Sequence, residues 1–443
     1  MSTDRHSLYF LGSQGDSPLL KRYVSLIEQC KEEGDFLSFD SLSDELSCYG
    51  RDAQPLYDRF PLLVFRPYAP SNIAPFIRFC HEMDIPVAVR CGGTGLSGGC
   101  IPSKEGIILL TGHLKKIKEY DKEKGLLSLE PGVTPRQIHH LVRNDGWYFP
   151  LSMSTEGVAG IAGCLNCHAR GYHQQHQCLY DGIENVTLVN GFGKVFDVPV
   201  PFVCGSEGMW GVIIEIRMAL KKLPESTLYF SFQGSWNQIL ERFSSIRAIH
   251  PLKAAVWFND YFYFKLEGER WRIGSAAASL QKSLPALFLS DTSLETISHS
   301  FRATKRHFCV ISTHLRSDQL QKGAEFAMQL AAECQLDVMK MADLLAGTLH
   351  LILESEEALH LFAKKIEDYL VLWTDFVDKE EGIIAGTHGV GMVFCHYMTP
   401  FWSEESLRFL RHLQTKMDPK RLFGRETFFP VVGKSLEKVR DDG

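Results

Sequence analysis

Residues 90–99, Arg90-Cys91-Gly92-Gly93-Thr94-Gly95-Leu96-Ser97-Gly98-Gly99, hold five glycines in ten positions. Glycine takes positive φ and carries no Cβ, so successive backbone N–H groups can turn inward onto one anion. Such a nest suits the oxygens of a phosphate or pyrophosphate. Gly93, Gly95 and Gly98 also satisfy G-x-G-x-x-G. The Rossmann fold needs a helix to begin inside that motif. Here Gly99-Cys100-Ile101-Pro102-Ser103 follows, a poor helix start. The loop therefore reads as a pyrophosphate cradle of another kind, with a plain glycine-rich turn as the alternative.

Cys164-Leu165-Asn166-Cys167-His168 is formally C-x-x-C-H, and His173, His176 and Cys178 follow it. The spacing is that of covalent haem attachment, and the donors also suit a soft metal. Haem attachment goes with export, whereas Met1–Gly12 lacks the basic start and long apolar core of a secretory signal. An unmetallated loop is the expectation, and a metal or redox-thiol site the alternative. His388 lies in Ala385-Gly386-Thr387-His388-Gly389-Val390-Gly391. An imidazole between glycines in a short loop reads as functional rather than as a core histidine.

Alternating strands and helices must position these loops. Leu62–Phe65, Ile85–Val89, Ile107–Leu110, Leu126–Leu129 and Val186–Val189 read as short strands. Ser71 can cap a helix with Ile73, Phe76, Ile77 and Cys80 on one face. Thr134-Pro135 starts another, with Ile138, Leu141 and Val142 as its stripe and Gly146 as its stop. The glycine loop thus falls at a strand end, where ligands commonly bind. Residues 226–378 change character: strand-like Leu228–Phe232, Ala254–Phe258, Tyr261–Leu266 and Thr348–Glu354 mix with helical Glu356–Trp373. That half reads as a separate α+β domain. Residues 1–58, with helix-like Leu19–Glu32, read as an N-terminal extension, and a helix from about Ser403 to Lys416 follows the last glycine-rich loop.

The chain has 443 residues, 45% of them hydrophobic and 23% charged, with a net charge of −6. That suits two or three globular domains and argues against broad nucleic-acid binding, for want of a basic excess. No apolar run reaches the ~18 residues of a transmembrane helix. The twelve cysteines read first as reduced thiols. A cytoplasmic protein, or one peripheral to the inner face of a membrane, is the expectation.

Four segments, in order, carry a family resemblance: the Arg90–Gly99 loop; Leu129-Glu130-Pro131-Gly132-Val133; Ala159-Gly160-Ile161-Ala162-Gly163; and Gly205-Ser206-Glu207-Gly208-Met209-Trp210-Gly211-Val212-Ile213-Ile214-Glu215. Together they resemble the FAD-linked oxidases of the vanillyl-alcohol-oxidase type, with a PCMH-type FAD-binding domain, and among them the glycolate oxidases, the D-lactate dehydrogenases and the D-2-hydroxyglutarate dehydrogenases. The resemblance implies that FAD is held by Arg90, Cys91, Gly92, Gly93, Thr94, Gly95, Leu96, Pro150, Gly160, Gly163, Gly205, Glu207, Gly208, Gly211, Val212 and Ile213. Thr94 stands where some relatives carry a tethering histidine, so noncovalent binding is expected, with Cys91, Cys164 and Cys167 near the flavin keeping a tether open.

The substrate half matches in outline. His388 matches the histidine of "E-H-G-I-G", the base that would take a hydroxyl proton while hydride leaves for the flavin. Its preceding glutamate, a ligand in metal-dependent members, is Thr387 here. Arg306, in Arg302-Ala303-Thr304-Lys305-Arg306-His307, loosely resembles the arginine that grips the substrate carboxylate; a surface arginine is the alternative. "H-x-G-D-G-N-L-H" is reduced to Asp343-Leu344-Leu345-Ala346-Gly347-Thr348-Leu349-His350, which leaves Asp343 and His350 as candidates for a divalent metal. The terminal "N-P-G-K" motif is lost at Gly424-Arg425-Glu426-Thr427.

The implied fold is α+β: a PCMH-type FAD-binding domain of two α/β subdomains over 59–225, an α+β cap with an antiparallel sheet over 226–378, and a C-terminal segment, 379–443, returning to the FAD domain. The implied activity is oxidation of a small D-2-hydroxy acid of the D-lactate or glycolate class. Electrons would pass to a quinone, a cytochrome or a partner protein. The alternatives are a diverged FAD-binding subunit or redox sensor, and a metal or thiol protein centred on Cys164–Cys178.

Overall fold

The computed structural model describes residues 18–38, 46–54, 56–171, 179–384 and 388–427. His173, His176 and Cys178, and also Thr387, lie outside them.

The first layer is a sheet of order β1-β2-β4-β3, with β1 Gly34–Ser38, β2 Leu63–Pro67, β3 Val87–Arg90 and β4 Ile107–Leu110. β2, β4 and β3 run parallel, and β1 closes the edge antiparallel to β2, Phe36 opposite Phe65. Two helices bury its apolar side: α1 (Pro18–Cys30) through Tyr23, Leu26, Ile27 and Cys30, and α2 (Ile73–Met83) through Ile73, Phe76, Ile77 and Cys80. Both sets recur at three and four residues, the spacing of one helix face. Phe76 stacks on Phe65 at 3.9 Å. Residues 18–38, expected as an extension, are thus a helix and an edge strand of this layer.

β3 and β4 are parallel neighbours, yet residues 91–106 between them are loop and turn throughout. That missing helix separates this domain from a Rossmann fold.

The second layer is an antiparallel sheet of order β5-β6-β10-β8-β9. Its strands are β5 Ile117–Asp121, β6 Leu126–Leu129, β8 Ile183–Val189, β9 Val195–Val198 and β10 Val212–Ala219. A small pair, β7 (Trp147–Tyr148) and β11 (Lys221–Lys222), lies beside it. Helix α3 (Pro135–Val142) is started by a reciprocal cap between Thr134 and Gln137. Helix α4 (Ile161–Asn166) carries the second glycine motif.

The cap is an eight-stranded antiparallel sheet of order β15-β12-β14-β13-β17-β18-β16-β19. Its strands are β12 Ser226–Gln233, β13 Leu252–Phe258, β14 Tyr261–Gly268, β15 Phe288–Leu289, β16 His307–His314, β17 Asp337–Asp343, β18 Thr348–Ser355 and β19 Ile383–Ile384. Ala255 and Trp257 of β13 join the large cap core, while Ala254, Val256 and Phe258 face Leu294 and Ile297 on the other side. Strand alternation thus buries both faces. Tyr148 of the FAD half donates to Glu267 of the cap at 3.0 Å, and Glu267 pairs with the buried Lys265 at 2.7 Å.

The last segment touches all three cores. Val390, Met392, Val393 and Phe394 belong to the cap core. Helix α5 (Glu404–Met417) lays Leu407, Leu410 and Leu413 on the second layer. Leu422 and Phe423 then enter the first-layer core, where Leu422 accepts the N–H of Val87 at 2.8 Å. Among the described residues no helix is long and apolar enough to cross a membrane.

Candidate active site

A cavity of about 90 Å³ opens between the two N-terminal layers and the returning chain. Cys91, Gly163, Glu207, Gly208 and Ile213 line it, five of the residues expected to hold cofactor. Its far wall is Leu422–Thr427, where the family's "N-P-G-K" has been lost.

The glycines explain the shape. A Cβ on Gly92 would sit 2.2 Å from the carbonyl oxygen of Val158, and one on Gly160 2.1 Å from Sγ of Cys91, so these two let the loops pack on each other. Gly99 and Gly163 are different. Both line the cavity, and a Cβ on either would meet nothing within 4 Å. Glycine inside a helix costs roughly 1 kcal/mol against alanine, and no protein neighbour requires it at Gly163. The position is open toward the cavity.

Other members of the expected set lie off the cavity wall. Arg90 turns its guanidinium to the carbonyls of Arg51 (2.8 Å) and Cys48 (3.2 Å). It anchors the segment around Cys48–Gln54 under the glycine loop. Gly95 and Leu96 give their carbonyls to Ala53 and Gln54 of that segment. Asp52 accepts the N–H of Gly98 at 2.7 Å, so one loop donor is already satisfied from within the chain. Burial raises Asp52 to about 6. Gly93, Thr94, Pro150, Gly160, Gly205, Gly211 and Val212 are not among the residues that line this cavity. Gly205, Glu207, Gly208 and Gly211 all have positive φ, and that kinked path carries the Glu207 carboxylate across to the backbone N–H groups of Val390 and Gly391.

Beyond that contact lies a cluster that joins the two halves. Ser312 of β16 places Oγ 2.8 Å from Nδ1 of His350 on β18 and 2.5 Å from Nδ1 of His388. Ser312 and His350 are register partners across the two strands. The two rings stand edge to face at 5.7 Å, and the Phe301 ring stands edge to face with His350 at 6.4 Å. Burial holds His388 down to about 4 and His350 well below its ordinary value, so both are neutral at pH 7. His388 itself is partly exposed. Ser97 of the glycine loop donates to the carbonyl of His388 at 3.2 Å. Arg170, shortly after α4, is a cation near this cluster: burial is the main cause that depresses His314 and His350, Arg170 adds to it, and its charge slightly favours ionised Asp343 against the burial that raises it.

Two expectations are corrected here. Arg306 is exposed, just before β16, with Glu354 holding the N–H groups of Thr304 and Lys305 beside it. Six residues of strand, roughly 20 Å at about 3.3 Å each, part it from Ser312. It is not brought to the histidines. The metal ligands are not assembled either. Asp343 spends Oδ1 on the N–H groups of Leu345 and Ala346 at 3.0 Å, closing the turn between β17 and β18, and burial raises it to about 7. His350 spends Nδ1 on Ser312. Among the described residues no group of three His, Cys, Asp or Glu is arranged to hold an ion. Cys164 and Cys167 are free thiols, and burial pushes Cys164 up to about 12 and Cys167 higher still, away from the thiolate form that metals and redox chemistry use.

Ser312, Asn166, Asp52 and Ser97 were not singled out in the sequence. Only Ser312 left a trace: Ser312-Thr313-His314 is a polar run inside an otherwise apolar buried strand.

Residues 61–199 match the model of the FAD binding domain, and residues 313–426 match that of the FAD linked oxidases, C-terminal domain. The chain belongs to the FAD-linked oxidases. The chain is 30% identical over 204 residues to glycolate oxidase subunit GlcD of Bacillus subtilis, covering 43% of each chain. It is 20% identical over 437 residues to D-2-hydroxyglutarate dehydrogenase of Xanthomonas citri pv. viticola, covering 87% of this chain and 93% of that one. The match spans only about two fifths of the GlcD chain and 41% of a mitochondrial D-lactate dehydrogenase candidate of Schizosaccharomyces pombe. The fold superposes on p-cresol methylhydroxylase with a TM-score of 0.76 at 14% identity, over 94% of this chain and 98% of that one.

The cavity fits the group that an FAD-binding domain takes. Gly99 and Gly163 leave room that a Cβ would fill. Asn166 lines the same space, and its buried Oδ1 has no hydrogen-bond partner among the described residues. A buried amide oxygen without a partner costs about 1–3 kcal/mol, and a donor on the bound cofactor would satisfy it.

Proposed function

We propose that this FAD-linked oxidase oxidises a small D-2-hydroxy acid, of the D-lactate or glycolate class, with noncovalently bound FAD. When bound, FAD supplies the two-electron acceptor for a hydride. Cys91, Gly163, Asn166, Glu207, Gly208 and Ile213 would hold it. His388 takes the hydroxyl proton: it is neutral, partly exposed, and oriented through Nδ1 by Ser312, which leaves Nε2 for the substrate. Arg170 takes over the role first expected of Arg306 and grips the carboxylate, since a guanidinium matches that planar anion. Glu207 fixes the His388 loop through two backbone N–H groups and so keeps the base in place. No step is routed through a metal: among the described residues no three His, Cys, Asp or Glu side chains are grouped to hold one. The electrons then leave to a quinone, a cytochrome or a partner protein.

The observation that carries this reading is His388 held by Ser312 on a loop that Glu207, a cavity-lining residue, ties down through Val390 and Gly391. The test is anaerobic mixing of the yellow protein with D-lactate or glycolate. Bleaching of the flavin absorbance is expected, and its loss in His388→Ala. If no 2-hydroxy acid bleaches the wild-type flavin, the reading fails. In that event the diverged FAD-binding protein stands instead, a reading that the turn-capping use of Asp343 favours.

A further inference from the structure

A serine hydroxyl carries one proton and can donate only once. Ser312 Oγ is nevertheless within hydrogen-bond distance of two imidazole Nδ1 atoms, on His350 and His388. Each imidazole Nδ1 presents either an N–H or a lone pair. Donation from Ser312 to one Nδ1 requires a lone pair there. The other Nδ1 then bears a proton and donates to Oγ, because two Nδ1–H donors would leave the buried hydroxyl proton with no acceptor among the described contacts. The two histidines are therefore held in opposite tautomers, and one has a basic Nε2 while the other has an Nε2–H.

We infer that Ser312 is a positioning residue that sets these tautomers: it donates to Nδ1 of His350 and accepts Nδ1–H from His388. The assignment of direction rests on the 2-hydroxy acid reading, in which His388 needs a free Nε2 lone pair. The resulting step balances. The α-carbon gives its hydride, with two electrons, to oxidised FAD. The hydroxyl proton goes to Nε2 of His388, and the C–O single bond becomes a carbonyl. The imidazolium keeps its Nδ1–H directed at Ser312 Oγ. The Nε2–H of His350 is left as a donor. Ser312 is buried at 2% exposure and does not line the cofactor cavity, so its effect runs through the histidines alone.

The experiment is nuclear magnetic resonance of the FAD-loaded protein labelled with 15N-histidine, in which two-bond 15N–1H correlations show which ring nitrogen bears the proton. His350→Gln and His388→Gln identify the two signals. The expected wild-type pattern is Nδ1–H for His388 and Nε2–H for His350. In Ser312→Ala, His388 should return to Nε2–H. Flavin reduction should slow about 10- to 100-fold, a part of the roughly 100- to 10,000-fold that a general base contributes, with KM changed less than about threefold. Ser312→Thr keeps the hydroxyl and should restore most of the rate. Matching tautomers in the wild type, or an unchanged pattern in Ser312→Ala, overturn the assignment even if the flavin bleaches. Opposite tautomers in a protein that no 2-hydroxy acid bleaches support the Ser312 assignment and overturn only the substrate reading.

Discussion

Oε2 of Glu207 accepts the backbone N–H of Gly391 at 2.8 Å, a contact between residues 184 positions apart. Its other oxygen takes Val390, so one carboxylate ties the FAD domain to the loop that carries His388. Desolvation raises Glu207 from an ordinary 4.5 to about 7, the two N–H groups opposing the shift. The folded chain thus holds this proton more tightly than the unfolded chain. Stability from Glu207 is full below about 4.5 and is lost as pH rises through about 7. Glu207→Gln cannot titrate. The unfolding gap between wild type and variant should shrink from about pH 5 to about pH 8, by up to about 3 kcal/mol. Urea melts of the two proteins at both pH values measure it, and a gap that widens with pH would sink the argument.

Gly163 separates cofactor binding from folding. Alanine there has no protein atom to strike and should raise the stability of the cofactor-free protein by a few tenths to about 1 kcal/mol. The same methyl enters the cavity, so FAD affinity should fall at least about tenfold, about 1.4 kcal/mol. A melting curve without FAD and a fluorescence titration with FAD give the two readings. Unchanged affinity would mean that the flavin does not approach Gly163.

Arg170 and Arg306 make a paired test of the carboxylate anchor. Losing a charge-assisted hydrogen bond costs roughly 1.5–3 kcal/mol. Arg170→Ala should therefore raise KM for the hydroxy acid about 10- to 100-fold, whereas Arg306→Ala, at an exposed position, should leave it within about twofold. Steady-state kinetics with an artificial electron acceptor decide between them. The reverse ranking would restore Arg306 and require β16 to lie differently from the arrangement described.

The cofactor half was legible in the chain because its chemistry is local. Glycines close in sequence, strand ends and a Pro after Thr134 each state a backbone requirement that survives without tertiary context. The substrate half was not, because its partners come from β16, β18 and a loop near the C-terminus, and nothing local pairs Ser312 with His350 and His388. Arg306 misled for the same reason: its motif is a spacing on one strand, whereas the strand end on which it sits is fixed by Glu354 and the antiparallel register. The extension misled because β1 is only five residues long with Gly34 and Ser38 at its ends, and only pairing with β2 makes it a strand.

Glu267 provides the test of how firmly the cap is seated. It pairs with Lys265, both being almost fully buried, and accepts from Tyr148 of the other half. Removing one member of a buried pair leaves the other charge uncompensated, at a cost of about 3–5 kcal/mol, whereas replacing both with apolar groups of similar volume is often neutral. Lys265→Met alone should therefore lower the unfolding midpoint steeply, and Lys265→Met with Glu267→Leu should recover most of the loss. Tyr148→Phe removes the hydroxyl bond to Glu267, so it should cost about 1 kcal/mol or somewhat more and, by loosening the cap, speed hydrogen exchange in β14 relative to β6. Urea melts give the energies, and exchange followed by mass spectrometry gives the location. If the double variant is as unstable as Lys265→Met, the pair acts through specific hydrogen bonds to its neighbours rather than through charge balance, and the cap is held by more than the contacts described.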